Sequence, residues 1–184
     1  MVDLADISVE QAASTAGAAL RRGDFLAAYD CAVSVRDAGV DDPRLAFIAA
    51  LALARMGDSH LAIELYEQAG LGAIDNDDYR ALGARIKKDL AQLAPGGERQ
   101  ALFAEASAAY RAIFDDLGGY FPAINAATTA LLAGDEAAAR ELATKILKDP
   151  EIRRSESYYA AASAAEAHVL LGDGAAALEA IARA

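Results

Sequence analysis

The dipeptide Gly-Asp recurs in this chain between segments of helical periodicity, at 23–24, 57–58, 134–135 and 172–173. An alanine lies five residues after each of the four glycines, at Ala28, Ala62, Ala139 and Ala177. A small residue there lets a second helix cross closely over the first, because a larger side chain would hold the two backbones apart. The pattern therefore predicts antiparallel helix pairs, each folded back at a Gly-Asp turn.

The spacing of these turns indicates the type of repeat. The first two glycines are 34 residues apart, which is the period of the tetratricopeptide repeat. The 77 residues from Gly57 to Gly134 leave room for a less regular pair, "DDYRALGARIKKDLAQLA" followed by "RQALFAEASAAYRAIFDDLG", with "PGGE" as the break between them. We therefore predict an all-α, right-handed α-solenoid that forms a single domain over residues 1–184. Its five helix pairs are expected near 9–38, 43–70, 76–117, 121–148 and 156–184.

The net charge and the absence of a long apolar segment narrow the classes of partner. The formal net charge is −11 over 184 residues. Nucleic acids and anionic membranes are bound through basic surfaces, so we expect neither as a partner. No uncharged apolar stretch approaches the roughly 20 residues of a membrane span, and the first residues do not resemble a secretory signal. A cytoplasmic location is therefore expected.

Few residues suggest a metal site or catalysis. Cys31 is the only cysteine, and His60 and His168 lie far apart, so we expect no metal and no cofactor. The sequence contains no nucleophile-elbow motif and no phosphate-binding glycine loop. We expect a protein that is not an enzyme. The last helix ends at "LEAIARA" without a polar cap, so either a further domain follows, or a partner or a second copy packs there as in a homodimer.

The segment "GGYFPAINAA" places two aromatic residues and a proline at the start of the fourth pair. Pro122 falls in the first turn of the predicted helix, where its missing N–H costs little. Asn125 follows one turn later. Asn125 either braces a neighbouring segment or forms a hydrogen bond with a ligand whose ring rests on Tyr120, and the sequence leaves both interpretations open.

Three charged residues share one flank of the first helix of the predicted third pair. Arg85, Lys88 and Asp89 are related by three- and four-residue spacings, so Arg85 and Asp89 are able to form a surface ion pair. The two cations are alternatively able to bind a phosphate or carboxylate. Tyr159 opens the fifth pair as Phe121 opens the fourth, and it packs between repeats or lines the same groove. The candidate ligand-binding residues are therefore Arg85, Lys88, Tyr120, Asn125 and Tyr159.

Two segments, "LGARIKKDLA" at 82–91 and "AAYRAIFDDLGGYFPAINAATTALLAGD" at 108–135, resemble the TRAFs-binding or tetratricopeptide-sensor domain. That domain occurs next to the kinase of apoptosis signal-regulating kinases and in bacterial signalling and defence proteins. Arg85, Lys88 and Asp89 match its basic segment, and Tyr120, Ile124, Asn125, Ala126 and Ala127 match the tyrosine and the Ile-Asn-Ala-Ala run of its last motif. The chain departs from the family pattern at Ala84, which separates the glycine from the arginine, and at Ala123, where glycine is expected.

The resemblance implies a sensor that binds a small, nucleotide-like or otherwise anionic ligand and regulates an effector domain or partner protein. The alternative from the residues is a peptide-binding scaffold whose groove accepts an extended segment or a helix without a small molecule. The two hypotheses predict different shapes, because a sensor needs a compact pocket near Asn125 whereas a scaffold needs a long open groove.

Overall fold

A computed structural model describes residues 8–154 and 157–183 of the chain. Eleven α-helices and one 3₁₀ helix (Leu71–Ala73) are found in these ranges, and they contain no strand. The α-helices are α1 (Val9–Arg21), α2 (Phe25–Asp37), α3 (Pro43–Met56), α4 (Ser59–Gln68), α5 (Asp77–Leu93), α6 (Gly96–Leu117), α7 (Tyr120–Leu132), α8 (Glu136–Lys148), α9 (Pro150–Arg154), α10 (Tyr158–Leu171) and α11 (Gly174–Ile181).

The contacts between helices divide the chain into two compact units, Met1–Asp89 and Leu90–Ala184, with the boundary inside α5. In the first unit α2 packs against α1 and α3, and α3 packs against α4. In the second unit α7 packs against α6 and α8, while α10 packs against α7, α8 and α11. Each unit therefore contains consecutive helices folded against one another in pairs. The single solenoid domain over all 184 residues stays a prediction.

The observed helices lie within the ranges predicted for the five pairs, with two differences, and the pairing of α5 with α6 stays a prediction. The segment "PGGE" ends α5 as predicted, but α6 already begins at Gly96. The first N–H groups of a helix need no intrahelical acceptor, so glycines there cost less than in a helix interior. The short helix α9 was not predicted. It begins where the Asp149 carboxylate accepts a hydrogen bond from the Glu151 N–H at 2.8 Å. Residues 156 and 184 of the predicted fifth pair lie outside the described residues.

Each Gly-Asp turn depends on the backbone conformation of its glycine and on a hydrogen bond accepted by its aspartate. Each glycine has a φ between 80° and 90°, in the left-handed region that favours glycine. Each aspartate then caps the second helix, and its carboxylate accepts a hydrogen bond from the backbone N–H three residues later at 3.0–3.3 Å. The glycine thus reverses the chain and the aspartate starts the next helix, which explains why the two residues recur together.

The alanines that follow these turns are buried as predicted. Ala28 and Ala62 are 0% exposed, Ala139 is 1% exposed and Ala177 is 4% exposed. Ala28 belongs to the core of the first unit, which consists largely of alanine with Val35, Leu45 and Ile48. Their burial agrees with the close packing of paired helices that small side chains allow.

Gly83 of α5 lies against the ring of Tyr66, a residue of α4. A Cβ atom on Gly83 would lie 2.6 Å from the Tyr66 Oη atom and 2.8 Å from its Cζ atom, which is closer than such atoms approach. Tyr79, one turn earlier on α5, is buried with Ala46, and its ring centroid is 5.0 Å from that of Phe47. Gly83 therefore allows α5 to pack closely within the first unit.

We predict that Ala28→Leu destabilises the protein by about 1–3 kcal/mol, because the added methyl groups have no space at the helix crossing. The measurement is the free energy of unfolding from urea denaturation. Ala27 is exposed on the same helix, so Ala27→Leu is the matched control and should change stability by less than about 0.5 kcal/mol. Equal stability of the two variants would contradict close packing at Ala28.

We further predict that Gly83→Ala lowers the free energy of unfolding by about 1–3 kcal/mol, because the Tyr66 ring must move to admit the new methyl group. Gly97, in the first turn of α6, has nothing within 4 Å of an added Cβ atom. The control Gly97→Ala should therefore leave stability unchanged or raise it by about 0.4–1 kcal/mol, since it restricts the unfolded chain. A Gly83→Ala protein as stable as the wild type would show that the Tyr66 contact imposes no constraint.

Candidate functional site

The predicted cations Arg85 and Lys88 lie on α5 in the first unit. The Arg85 Nε atom is 3.4 Å from the Asp89 Oδ2 atom, one turn along the same helix. This is the ion pair that the sequence spacing allowed, and a pair this accessible to solvent contributes about 0–1 kcal/mol. Both cations are partly buried. Their proposed role in binding an anion stays a prediction.

The second unit explains the unusual start of α7. Gly118 and Gly119 have φ values of 73° and 84°, so two consecutive residues adopt backbone conformations that favour glycine. Pro122 is the third residue of the helix, as predicted, where it interrupts no intrahelical hydrogen bond. The Asn125 Nδ2 atom donates a hydrogen bond to the Phe121 carbonyl at 2.9 Å. Asn125 therefore braces the first turn of its own helix.

The helices α7 and α10 are joined by a side-chain hydrogen bond from the Thr128 hydroxyl to the Glu166 carboxylate. Phe121, Asn125 and Thr128 lie at four- and three-residue spacings and so share one side of α7, and Tyr159 and Glu166 are two turns apart on one side of α10. The Phe121 and Tyr159 side chains are 60% and 72% exposed. We call the surface formed by Phe121, Asn125, Thr128, Tyr159 and Glu166 the α7–α10 face. Two of the predicted site residues, Asn125 and Tyr159, therefore belong to neighbouring helices that contribute to one face.

Tyr120 lies elsewhere in the same unit. It precedes Asn125 by five residues, so the two side chains point in directions roughly 140° apart around α7. Tyr120 instead lines a cleft of about 230 Å³, which we call the Tyr120 cleft. The cleft is lined by Phe114, Tyr120, Ala123, Lys145, Ile146, Lys148, Asp149 and Pro150. A single ligand that contacts both Tyr120 and Asn125, as expected from the sequence, stays a prediction.

A row of charged side chains leads to this cleft across α6 and α8. Arg111 lies 3.3 Å from Asp115 and 3.3 Å from Glu141, and Glu141 is 2.7 Å from the Lys145 Nζ atom. The hydrogen bond from Lys145, with the charges of Lys145 and Arg111, holds the pKa of the Glu141 carboxyl below its usual value. Glu141 is therefore ionised at neutral pH and shared by two cations.

Lys148 lies one turn beyond Lys145 and lines the same cleft. Within residues 8–154 and 157–183, its ammonium group has neither a hydrogen bond nor an ion pair. Sequence reasoning missed both lysines, because two lysines in the last turn of a helix are common on any protein surface. The only signal was their three-residue spacing directly before Asp149 and Pro150, where α8 ends.

The described residues contain no group of three or more His, Cys, Asp or Glu side chains that could hold a metal ion. No helix in the described part of the chain is long and apolar enough to cross a membrane.

The comparisons with known proteins agree with the fold. The solved structure named "MamA MSR-1 C2" is similar to this chain with a TM-score of 0.64 and 15% sequence identity, over 95% of this chain and 90% of that chain. This likeness concerns the fold and confirms the expected all-α solenoid of the tetratricopeptide type. Among curated proteins no match was found. The sequence model of the Tetratricopeptide Repeats-Sensor family matches residues 24–132, a range that contains Arg85, Lys88, Tyr120 and Asn125. Because the match covers more than half of the chain, this protein belongs to the Tetratricopeptide Repeats-Sensor family.

Proposed function

We propose that this protein is a noncatalytic sensor and protein-interaction module whose α7–α10 face binds a segment of an effector domain or partner protein. Membership of the sensor family supports the interaction role. The observation that carries the proposal is the pair of exposed rings, Phe121 and Tyr159, on two helices that the Thr128–Glu166 hydrogen bond holds together. Exposed aromatic rings on a fixed support are typical of residues that dominate binding energy in interfaces.

The charges of the α7–α10 face indicate the chemistry of its partner. Helices α7 and α10 contain no lysine or arginine, and Glu166 is their only acidic residue. An anionic ligand would find no positive charge on these helices, whereas an apolar segment with a basic residue is complementary to the two rings and the carboxylate. At this face the peptide-binding alternative is therefore favoured over a small anionic ligand.

Binding of a small anionic ligand, the sensing part of the proposed function, requires positively charged side chains. For a small anionic or nucleotide-like ligand, Arg85 and Lys88 of α5 remain the proposed binding groups in the first unit, because lysine and arginine form the strongest hydrogen bonds with phosphate and carboxylate. Arg85 is paired with Asp89, so a ligand there would compete with a carboxylate for its guanidinium group. The second unit has its own cations, Lys145 and Lys148, at the Tyr120 cleft.

The partner face is tested by selecting peptides from a random display library on the purified protein and measuring their affinities. We expect selected peptides rich in apolar and basic residues. The double variant Phe121→Ala/Tyr159→Ala should weaken their binding by about tenfold or more, since truncating two central aromatic side chains commonly costs more than about 1.4 kcal/mol.

The matched control is Leu178→Ala, which removes a similarly exposed apolar side chain from α11 in the same unit. This variant should bind the selected peptides as the wild type does. Selection of no peptide, or of peptides that bind the double variant with unchanged affinity, would rule out the α7–α10 face as the partner site.

A further inference from the structure

The Tyr120 cleft has apolar walls and a charged rim. Ala123 and Ile146 are buried, whereas the Phe114 and Tyr120 rings are partly exposed. Lys145 and Lys148 supply two ammonium groups, and the Asp149 carboxylate supplies one negative charge. Binding pockets usually have this composition, in which apolar and aromatic walls surround a few polar groups that fix orientation.

The volume of the cleft indicates the size of the chemical group that it can enclose. Its volume is about 230 Å³. A cavity of about 150 Å³ is large enough for benzene, whereas pockets for drug-sized ligands measure about 300–1,000 Å³. The enclosed part of the cleft therefore accommodates a single six-membered ring with a short substituent.

The charges around the cleft favour an anionic substituent. The Asp149 carboxylate already accepts the Glu151 N–H at the start of α9. Lys148 has no partner among the described residues, and the Glu141 that binds Lys145 is also held by Arg111 at 3.3 Å. An anion could therefore engage Lys148 and share Lys145 without leaving Glu141 unpaired. The rim therefore offers one ammonium group, that of Lys148, without a partner among the described residues, in a chain of net charge −11.

The position of the lysines at the end of α8 has a partial structural explanation. Cations in the last turn of a helix interact favourably with the helix dipole. That effect accounts for the charge of these residues but not for the two aromatic rings beside them. Phe114, Tyr120 and Ala123 lie inside the range that the family model matches, whereas Lys145, Lys148 and Pro150 lie outside it, so the two lysines of the rim are not part of the matched segment.

We propose that the Tyr120 cleft binds a small molecule with one aromatic ring and one anionic group. The ring lies against Phe114 and Tyr120, and the anionic group contacts Lys148 and shares Lys145 with Glu141. This site deepens the sensing half of the proposed function and rests on it for its biological meaning. The binding itself is independent of the α7–α10 face, because it uses other residues and a ligand of opposite charge.

The test is equilibrium dialysis of the full chain against radiolabelled benzoate, with phenyl phosphate as competitor. We expect saturable binding with a dissociation constant below about 10 mM, and competition by phenyl phosphate. The anion that binds with the lower dissociation constant shows whether a carboxylate or a phosphate is the preferred group. Benzyl alcohol and acetate, which each lack one of the two features, should compete at least about tenfold more weakly.

Two variants test the roles of the lysines in opposite directions. Lys148→Ala should weaken benzoate binding about fivefold, the effect expected for losing one partly exposed ion pair. Glu141→Gln should strengthen it about twofold to threefold, because Lys145 loses its competing carboxylate. Lys87→Ala removes the same charge from α5 and should leave binding unchanged. Lys148 is exposed, so its variant should keep the thermal unfolding temperature of the wild type.

Three results would overturn the inference. The first is no saturable binding of either anion up to about 10 mM. The second is unchanged affinity in Lys148→Ala or in Glu141→Gln. The third is at least about tenfold tighter binding of the peptide acetyl-Asp-Phe-Asp-amide than of benzoate, which would assign the cleft to an acidic protein segment. None of these results affects the peptide selection on the α7–α10 face, so the two proposals fail separately.

Discussion

The close approach of paired helices through alanine is the constraint on which the rest of the structure depends. Each Gly-Asp turn reverses the chain and starts the second helix, and the alanine five residues beyond the glycine is buried where the two helices cross. Since much of the interior is filled by small side chains, several large ones remain outside it. Phe121, Tyr158 and Tyr159 are each at least 60% exposed. Packing by alanine thus leaves aromatic rings available for binding.

Periodicity and turn chemistry were enough to predict the helices that fold back at the four Gly-Asp turns, because both signals depend on residues close together in sequence. The start of α6 at Gly96 and the short helix α9 were missed, since helix ends depend on individual capping contacts. The candidate site was less predictable. Tyr120 and Asn125 belong to one family motif, yet their side chains lie on different sides of α7, and the cleft beside Tyr120 is completed by Lys145 and Lys148 from α8. Contacts between residues of different helices produce no periodic pattern in the sequence of either helix.

The second unit carries two surfaces with opposite chemistry. The α7–α10 face combines exposed rings with the Glu166 carboxylate, whereas the Tyr120 cleft combines rings with two ammonium groups. Helix α7 contributes to both, through residues on different sides. A ligand in the cleft would act on a partner at the face only to the extent that it binds more tightly to one of two arrangements of α7 and its neighbours. A shared helix gives such coupling a short physical route.

The most direct measurement is an NMR titration of isotope-labelled protein with benzoate, in which the amide resonances of each residue are followed. We expect the signals at the start of α7 and the end of α8, including those of Tyr120 and Lys148, to shift in a saturable way. The Tyr159 and Glu166 signals should move less than these. Shifts centred on the α7–α10 face, or no saturable shifts, would contradict the separation of the two surfaces.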